Sequence, residues 1–248
     1  MPEQRWGYNS WEDYYIPGTK TVRNKFRAPG KPYGEPNPNI LHAKEEAASF
    51  LRMHELRLRP ITGDFDYAHM KAIHGYIFQD VYDWAGEPRV GPHGWMTKEG
   101  PNVLHPDDPD NPTMAFTYYP GTEIMHEDAR KQYRRLAEKN YLRGLEKQEF
   151  VQELAEIWGE LNVIHVFREG NTRTQFIFFE QLCRKAGYQI ASERFAVRDE
   201  ATMQREAAAG RPYLREAFVH ARFYSQATGS NKRLAEVLDQ AISPLRVK

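Results

Sequence analysis

Apolar residues recur at spacings of three and four along most of this chain, and two long stretches break the pattern. The spacing predicts helices over about 41–59, 66–82, 123–139, 147–165 and 172–186, the last stopped by Gly187. Shorter helices are predicted over 199–208, 212–227 and 232–242. The first break is residues 1–40, where Trp6, Tyr8, Trp11, Tyr14 and Tyr15 precede a Pro- and Gly-rich run from Ala28 to Pro38 that excludes regular structure. The second lies between Arg89 and Gly121, where Pro and Gly punctuate a stretch holding Trp95, Met96, Thr97 and Lys98. It is lengthened by an acidic, proline-rich piece from Pro101 to Pro112 with Asp107, Asp108 and Asp110. The expected organisation is an aromatic arm over 1–40, a helical core over 41–195 and C-terminal helices over 196–248 packed on that core.

Composition narrows the class without naming a function. At 248 residues, 40% hydrophobic and 27% charged, the chain is ordinary globular material. Lys plus Arg equals Asp plus Glu at 34 each, so no global basic field points to nucleic acid. The amino terminus is polar and aromatic, and nowhere do about 18 apolar residues run together, so neither a signal peptide nor a membrane span is expected. The single Cys183 falls in an apolar helical face and reads as a reduced, buried thiol, which places the chain in a cytosol. His54, His69, His74, His93, His105 and His126 share no metal-ligand spacing. Lys248 follows a final helix without an obvious stop.

The chemistry concentrates in the loop between the fourth and fifth helices, His165 to Gln175, which reads HVFREGNTRTQ. Phe150, Leu154, Ile157, Trp158, Leu161 and Ile164 lead into it, and Phe176, Phe178, Phe179 and Leu182 lead out. Gly170, Asn171, Thr172 and Arg173 therefore stand at a helix start, whose unpaired N–H groups and positive dipole end attract phosphate. His165 can take a proton near neutral pH. Glu169 can hold Mg²⁺ together with phosphate oxygens, and Arg173 offers a fork of donors. Taken singly, each has a structural reading: His165 as a helix cap, Glu169 and Arg173 as a loop ion pair, Asn171 as an N-cap. Together, within nine residues and in a usable order, they read as a phosphoryl-transfer site.

The same loop resembles the Fic family, whose motif runs HPFxxGNGRxxR. His165, Phe167, Glu169, Gly170, Asn171 and Arg173 match; Val166, Thr172 and Phe176 stand where the family usually has Pro, Gly and a second Arg. Ile73 to Arg89, IHGYIFQDVYDWAGEPR, is similar to the helix and WAG turn before the family's target-docking hairpin, and NYLRGL at 140–145, with Phe150, to the approach to the motif helix. The resemblance covers about residues 40–190. It implies an all-α, Fic-like helical bundle with a small β-hairpin flap, and transfer of AMP from ATP-Mg²⁺ to a hydroxyl of a target protein. In that reading His165 is the base, Glu169 holds Mg²⁺, and Gly170, Asn171, Thr172 and Arg173 bind the phosphates.

The resemblance also implies a protein target docked on the flap around Trp95–Lys98. The acidic insertion reads either as a disordered surface loop or as a target contact, in which case its charge favours a basic surface. Many members are restrained by a helix carrying [ST]xxxE[GN]; the nearest pattern here, Thr202 to Glu206, is followed by Ala207. Either a separate small antitoxin supplies the restraint or none is needed. Since the family's second arginine contacts the far phosphate, Phe176 is expected to weaken ATP binding at that end. Transfer of UMP or a terminal phosphate on the same fold, and a binding module without turnover, remain alternatives. Some resembling effectors carry a delivery domain behind this one; none is expected within the 248 residues, and a fragment of a longer protein remains an alternative.

Overall fold

A computed structural model of the chain describes residues 7–196 and 199–245; Trp6 of the arm and Lys248 lie outside them. Among the described residues are eight helices, and each coincides with a segment where the periodicity predicts one. In chain order they are α1 Pro38–Leu58, α2 Tyr67–Phe78, α3 Glu123–Glu138, α4 Lys147–Ile164, α5 Asn171–Ala186, α6 Glu200–Ala208, α7 Arg215–Thr228 and α8 Lys232–Ala241. Strands β1 Met96–Pro101 and β2 Thr113–Tyr118 form an antiparallel hairpin, with Met96 opposite Tyr118 and Pro101 opposite Thr113. The fold is thus all-α with a small hairpin flap. No described helix is long and apolar enough to cross a membrane.

The ends of the elements depart from the sequence reading for local reasons. Helix α1 starts three residues early because the Asn37 side chain accepts the Asn39 and Ile40 N–H groups at 3.0 and 3.2 Å, with Pro38 in the first turn. Helix α2 stops at Phe78 rather than 82, since the N–H groups of Val81 and Tyr82 both turn back onto the Phe78 carbonyl. Helix α4 ends one residue early because His165 adopts φ +53°, and α5 begins at Asn171. A second strand pair, β3 Tyr188–Ile190 with β4 Ile242–Pro244, escaped the sequence reading because three residues are too few to show a period of two.

The contacts divide the chain into two compact units. The first holds the residues up to Gly94, Tyr119–Tyr133 and His165–Phe178. Its interior is aromatic: Trp84 stacks on Tyr82 at 4.2 Å and meets Tyr14 edge-on at 5.5 Å, while His74 stacks on Phe167 at 3.8 Å. Gly86 makes the WAG turn feasible, having φ +89° and lying against the backbone of Gly75 on α2, where a Cβ would meet the Gly75 Cα at 3.3 Å.

The second unit holds Trp95–Tyr118, Arg134–Ile164 and the residues from Phe179 on. Trp158 of α4 stacks on Phe179 at 4.4 Å and meets Phe218 of α7 edge-on. The hairpin rests on α7, with Phe116 against Phe223 at 4.3 Å and the Gln226 amide donating to the Thr117 carbonyl at 2.7 Å. Its acidic connection is locally organised: the Asp108 carboxylate accepts from Asp110 and Asn111, and the Asn102 side chain donates to the Asn111 carbonyl. Cys183 is fully buried, and burial pushes its thiol up, as expected of an inert side chain.

One position in this unit tests the packing. Gly159 on α4 faces Asn231, which accepts from the Ser225 hydroxyl and donates to Glu156; a Cβ at 159 would lie 2.1 Å from the Asn231 Oδ1. Gly to Ala in a helix interior ordinarily stabilises by about 1 kcal/mol, but overpacking costs about 1–3 kcal/mol. Gly159→Ala is therefore expected to lower the urea midpoint of unfolding, and a raised midpoint would contradict this packing.

Candidate active site

The loop from His165 to Asn171 runs between two helices, and its backbone is pinned residue by residue inside the first unit. At its entry the left-handed conformation of His165 costs about 1 kcal/mol or more for a residue with a Cβ. Arg89 holds it there. The Arg89 Nε donates to the His165 carbonyl at 2.7 Å, and the Arg89 backbone N–H donates to the Val166 carbonyl at 2.8 Å. The same guanidinium donates to the carbonyls of Gly91 and Tyr119 at 2.8 and 2.6 Å. Arg89 is 1% exposed, and burial pulls its pKa down to about 10, so it stays charged at neutral pH.

Further along, the Asn171 side chain clasps Phe167 in both directions: its Oδ1 accepts the Phe167 N–H at 3.0 Å and its Nδ2 donates to the Phe167 carbonyl at 2.7 Å. Asn171 is 3% exposed, so only its backbone N–H can serve a ligand. Between these clasps His74 reaches in from α2. Its Nδ1 accepts the Gly86 N–H at 2.8 Å, and its Nε2 lies 3.2 Å from the Glu169 carbonyl. Because an N–H group can only donate, Nδ1 is the acceptor and the proton sits on Nε2. His74 is fully buried; burial first, and the nearby Arg173 charge, pull its pKa down to about 3 against the opposing Glu169 bond.

Gly170 follows at φ +78°, and a Cβ there would come within 2.2 Å of the Phe78 ring. No other residue fits. Among the described residues no acceptor meets the N–H of Gly170 or of Asn171, and Gly170 is partly exposed. Two donors at a helix start are thus without a protein acceptor among the described residues, the arrangement that suits an anion. Thr172 is exposed in the first turn.

The charged groups beside these donors are already partnered. Glu169, with its side chain 37% exposed, pairs with Arg168, and Arg168 lies 4.2 Å over the Trp11 ring and donates to the Tyr15 hydroxyl at 3.1 Å. Arg173 is 30% exposed at its side chain; it pairs with Glu45, donates to the Ser49 hydroxyl at 2.8 Å and lies over Phe78. The Tyr82 hydroxyl donates to the second Glu45 oxygen at 2.9 Å. His165 is 8% exposed and Phe176 7%, so position 176 presents a buried ring and no cation.

The structure therefore brings His165, Glu169, Gly170, Asn171, Thr172 and Arg173 onto one short segment. Sequence reading missed Arg89, Glu45 and Ser49, and weighed His74 only as a metal ligand. Both Arg89 and His74 lie inside the segment 73–89 that carries the resemblance, which was the available signal. The donor set fits Mg²⁺ held jointly with phosphate: one half-exposed carboxylate, and no cluster of three His, Cys, Asp or Glu among the described residues to make a protein-only cage.

Comparison with known proteins bears on the family and the fold. Residues 64–183 match the sequence model of the Fic/DOC family. Probable protein adenylyltransferase y4lH of Sinorhizobium fredii is 34% identical over 187 residues, covering 74% of this chain and 81% of the relative. Protein adenylyltransferase VbhT of Bartonella schoenbuchensis is 35% identical over 182 residues, 68% of this chain but 34% of the relative, so the chain spans about a third of that protein's length. The N-terminal Fic domain of a cell filamentation protein from Bartonella quintana, solved with bound ADP, superposes with a TM-score of 0.71 at 24% identity, covering 95% of this chain and 96% of that one.

The buried His74 makes a pH prediction. Its folded pKa lies below the unfolded value of about 6.5, so between the two the unfolded chain binds more protons and stability falls on acidification. The slope from this group approaches about 1.4 kcal/mol per pH unit below pH 6. Urea unfolding at pH 7 and pH 5 should show the loss, and His74→Gln should show less of it; equal slopes would place the acid sensitivity elsewhere.

Proposed function

This chain belongs to the Fic/DOC family, and we propose that it is a nucleotidyltransferase that moves AMP from ATP to a hydroxyl side chain of a target protein. The observation that carries the reading is the helix start, where the N–H groups of Gly170 and Asn171, without an acceptor among the described residues, share one short segment with Arg173 and Glu169. The names of the relatives and the ADP-bound domain support the same ligand class. In the proposed step the target oxygen attacks the α-phosphorus. The bond from that phosphorus to the oxygen bridging to the β-phosphate breaks, pyrophosphate leaves, and the hydroxyl proton passes to the His165 imidazole.

Within that step the backbone donors hold the diphosphate in a fixed direction, which is where most of the rate gain in phosphoryl transfer arises. Glu169 is the residue proposed to hold Mg²⁺, which when bound would neutralise charge on the leaving phosphates. Arg173, braced by Glu45 and Ser49, supplies a fixed positive charge at the same helix start. The target is proposed to dock on the hairpin around Trp95–Lys98, where Trp95 is 61% exposed.

A second reading follows from one residue. Phe176 buries a ring where a second arginine is usual, which favours weak turnover or a binding role. Incubation of the protein and its His165→Ala variant with Mg²⁺, lysate and ATP labelled at the α or γ phosphate separates the readings. Label from α alone, lost in the variant, is expected; γ label alone would mean phosphorylation, and no label from either would leave the binding role. Phe176→Arg should raise α-labelling tenfold or more if a charged contact of about 1.4–3 kcal/mol is restored, and an unchanged rate would show that another group serves the far phosphate.

A further inference from the structure

The nest at Gly170 can serve an anion only if its first N–H points outward, and that direction is a property of the preceding peptide. A trans peptide is planar, with the carbonyl and the N–H on opposite sides. Whatever fixes the Glu169 carbonyl therefore aims the Gly170 N–H. The Glu169 carbonyl lies 3.2 Å from the His74 Nε2, on the buried side of the loop, and the N–H of Gly170 meets no acceptor among the described residues.

We infer that His74 is a positioning residue whose Nε2–H draws the Glu169 carbonyl inward and thereby aims the Gly170 N–H at the bound diphosphate. The ring is itself fixed: the Gly86 N–H donates to Nδ1 at 2.8 Å, Phe167 stacks on it at 3.8 Å and 9°, and it is fully buried. The Gly86 bond sets the tautomer, so the WAG turn determines which ring nitrogen faces the motif loop. Without the Nε2–H the carbonyl would be a part-buried acceptor without its donor, and the peptide would be free to flip to seek one, turning the Gly170 N–H away from the site. The flip is open to Gly170 because glycine tolerates both directions. This inference rests on the loop being the phosphate site.

Two side chains separate the roles of the ring nitrogens. His74→Gln places an amide N–H at the reach of Nε2, and His74→Asn places an oxygen at the position of Nδ1 but leaves the Glu169 carbonyl without a donor. ADP affinity, melting temperature and the Gly170 amide resonance would be measured for both. The expectation is ADP binding about tenfold weaker in the Asn variant and within about threefold of the parent in the Gln variant, with similar melting temperatures and a Gly170 resonance displaced only by Asn. Parent-like ADP affinity in the Asn variant, or losses in both that simply follow melting temperature, would overturn the inference. If the parent bound no ADP, the nucleotide reading would fail by itself, and the Gly170 resonance would still decide the positioning role: displaced in Asn alone supports it, unmoved in both refutes it. Should a variant not fold, long-range ¹H–¹⁵N spectra of the parent decide, with the proton on Nε2 supporting the assignment and on Nδ1 overturning it.

Discussion

The site depends on holding a seven-residue loop by its backbone, against the preferences of several of its own residues. His165 sits left-handed, Gly170 does likewise, and the N–H groups of Gly170 and Asn171 go without acceptors among the described residues. Each departure costs free energy, and each is offset by a buried clasp: Arg89 on the carbonyls of His165 and Val166, Asn171 on both polar groups of Phe167, His74 on the carbonyl of Glu169. Strain held by its surroundings is common at functional sites because it fixes a direction in advance of the ligand. Here what is fixed is the direction of the loop's peptides.

A consequence is that the side chains of the motif divide by direction. Asn171 and Phe167 point inward and act on the loop itself, and Gly170 is glycine because Phe78 occupies the space of its Cβ. Glu169 and Arg173 remain partly exposed, and each has a partner within the first unit, Arg168 for one and Glu45 with Ser49 for the other. These pairs hold both charges beside the start of α5. Phe176 points inward with the aromatic residues, so position 176 holds a buried ring where the motif usually has a second cation.

Much of this was legible in the sequence, because a helical period of three and four persists through all eight helices and the motif residues are contiguous. The loss of that period between 89 and 121 showed only a break in the helices; the hairpin there was expected from the family resemblance. The strand pair of Tyr188–Ile190 with Ile242–Pro244 was not, since its stability comes from a pairing across some fifty residues rather than from local pattern. The clasps were not legible either. Nothing in the composition of α2 distinguishes His74 from any histidine on an apolar face, and Glu45 reads as one charge in the run from Lys44 to Glu46. Their roles arise from the tertiary packing of α1, the WAG turn and the loop, which a sequence read one residue at a time does not contain.

The central claim is that the helix start at Gly170 and Asn171 is where phosphate is held. A crystal structure of the protein with ADP and Mg²⁺ tests it directly. The account predicts diphosphate oxygens within hydrogen-bond reach, about 2.9 Å, of both backbone N–H groups, with the Glu169 carbonyl still turned towards His74. A diphosphate bound elsewhere, or a Gly170 N–H turned away from it, would contradict the account.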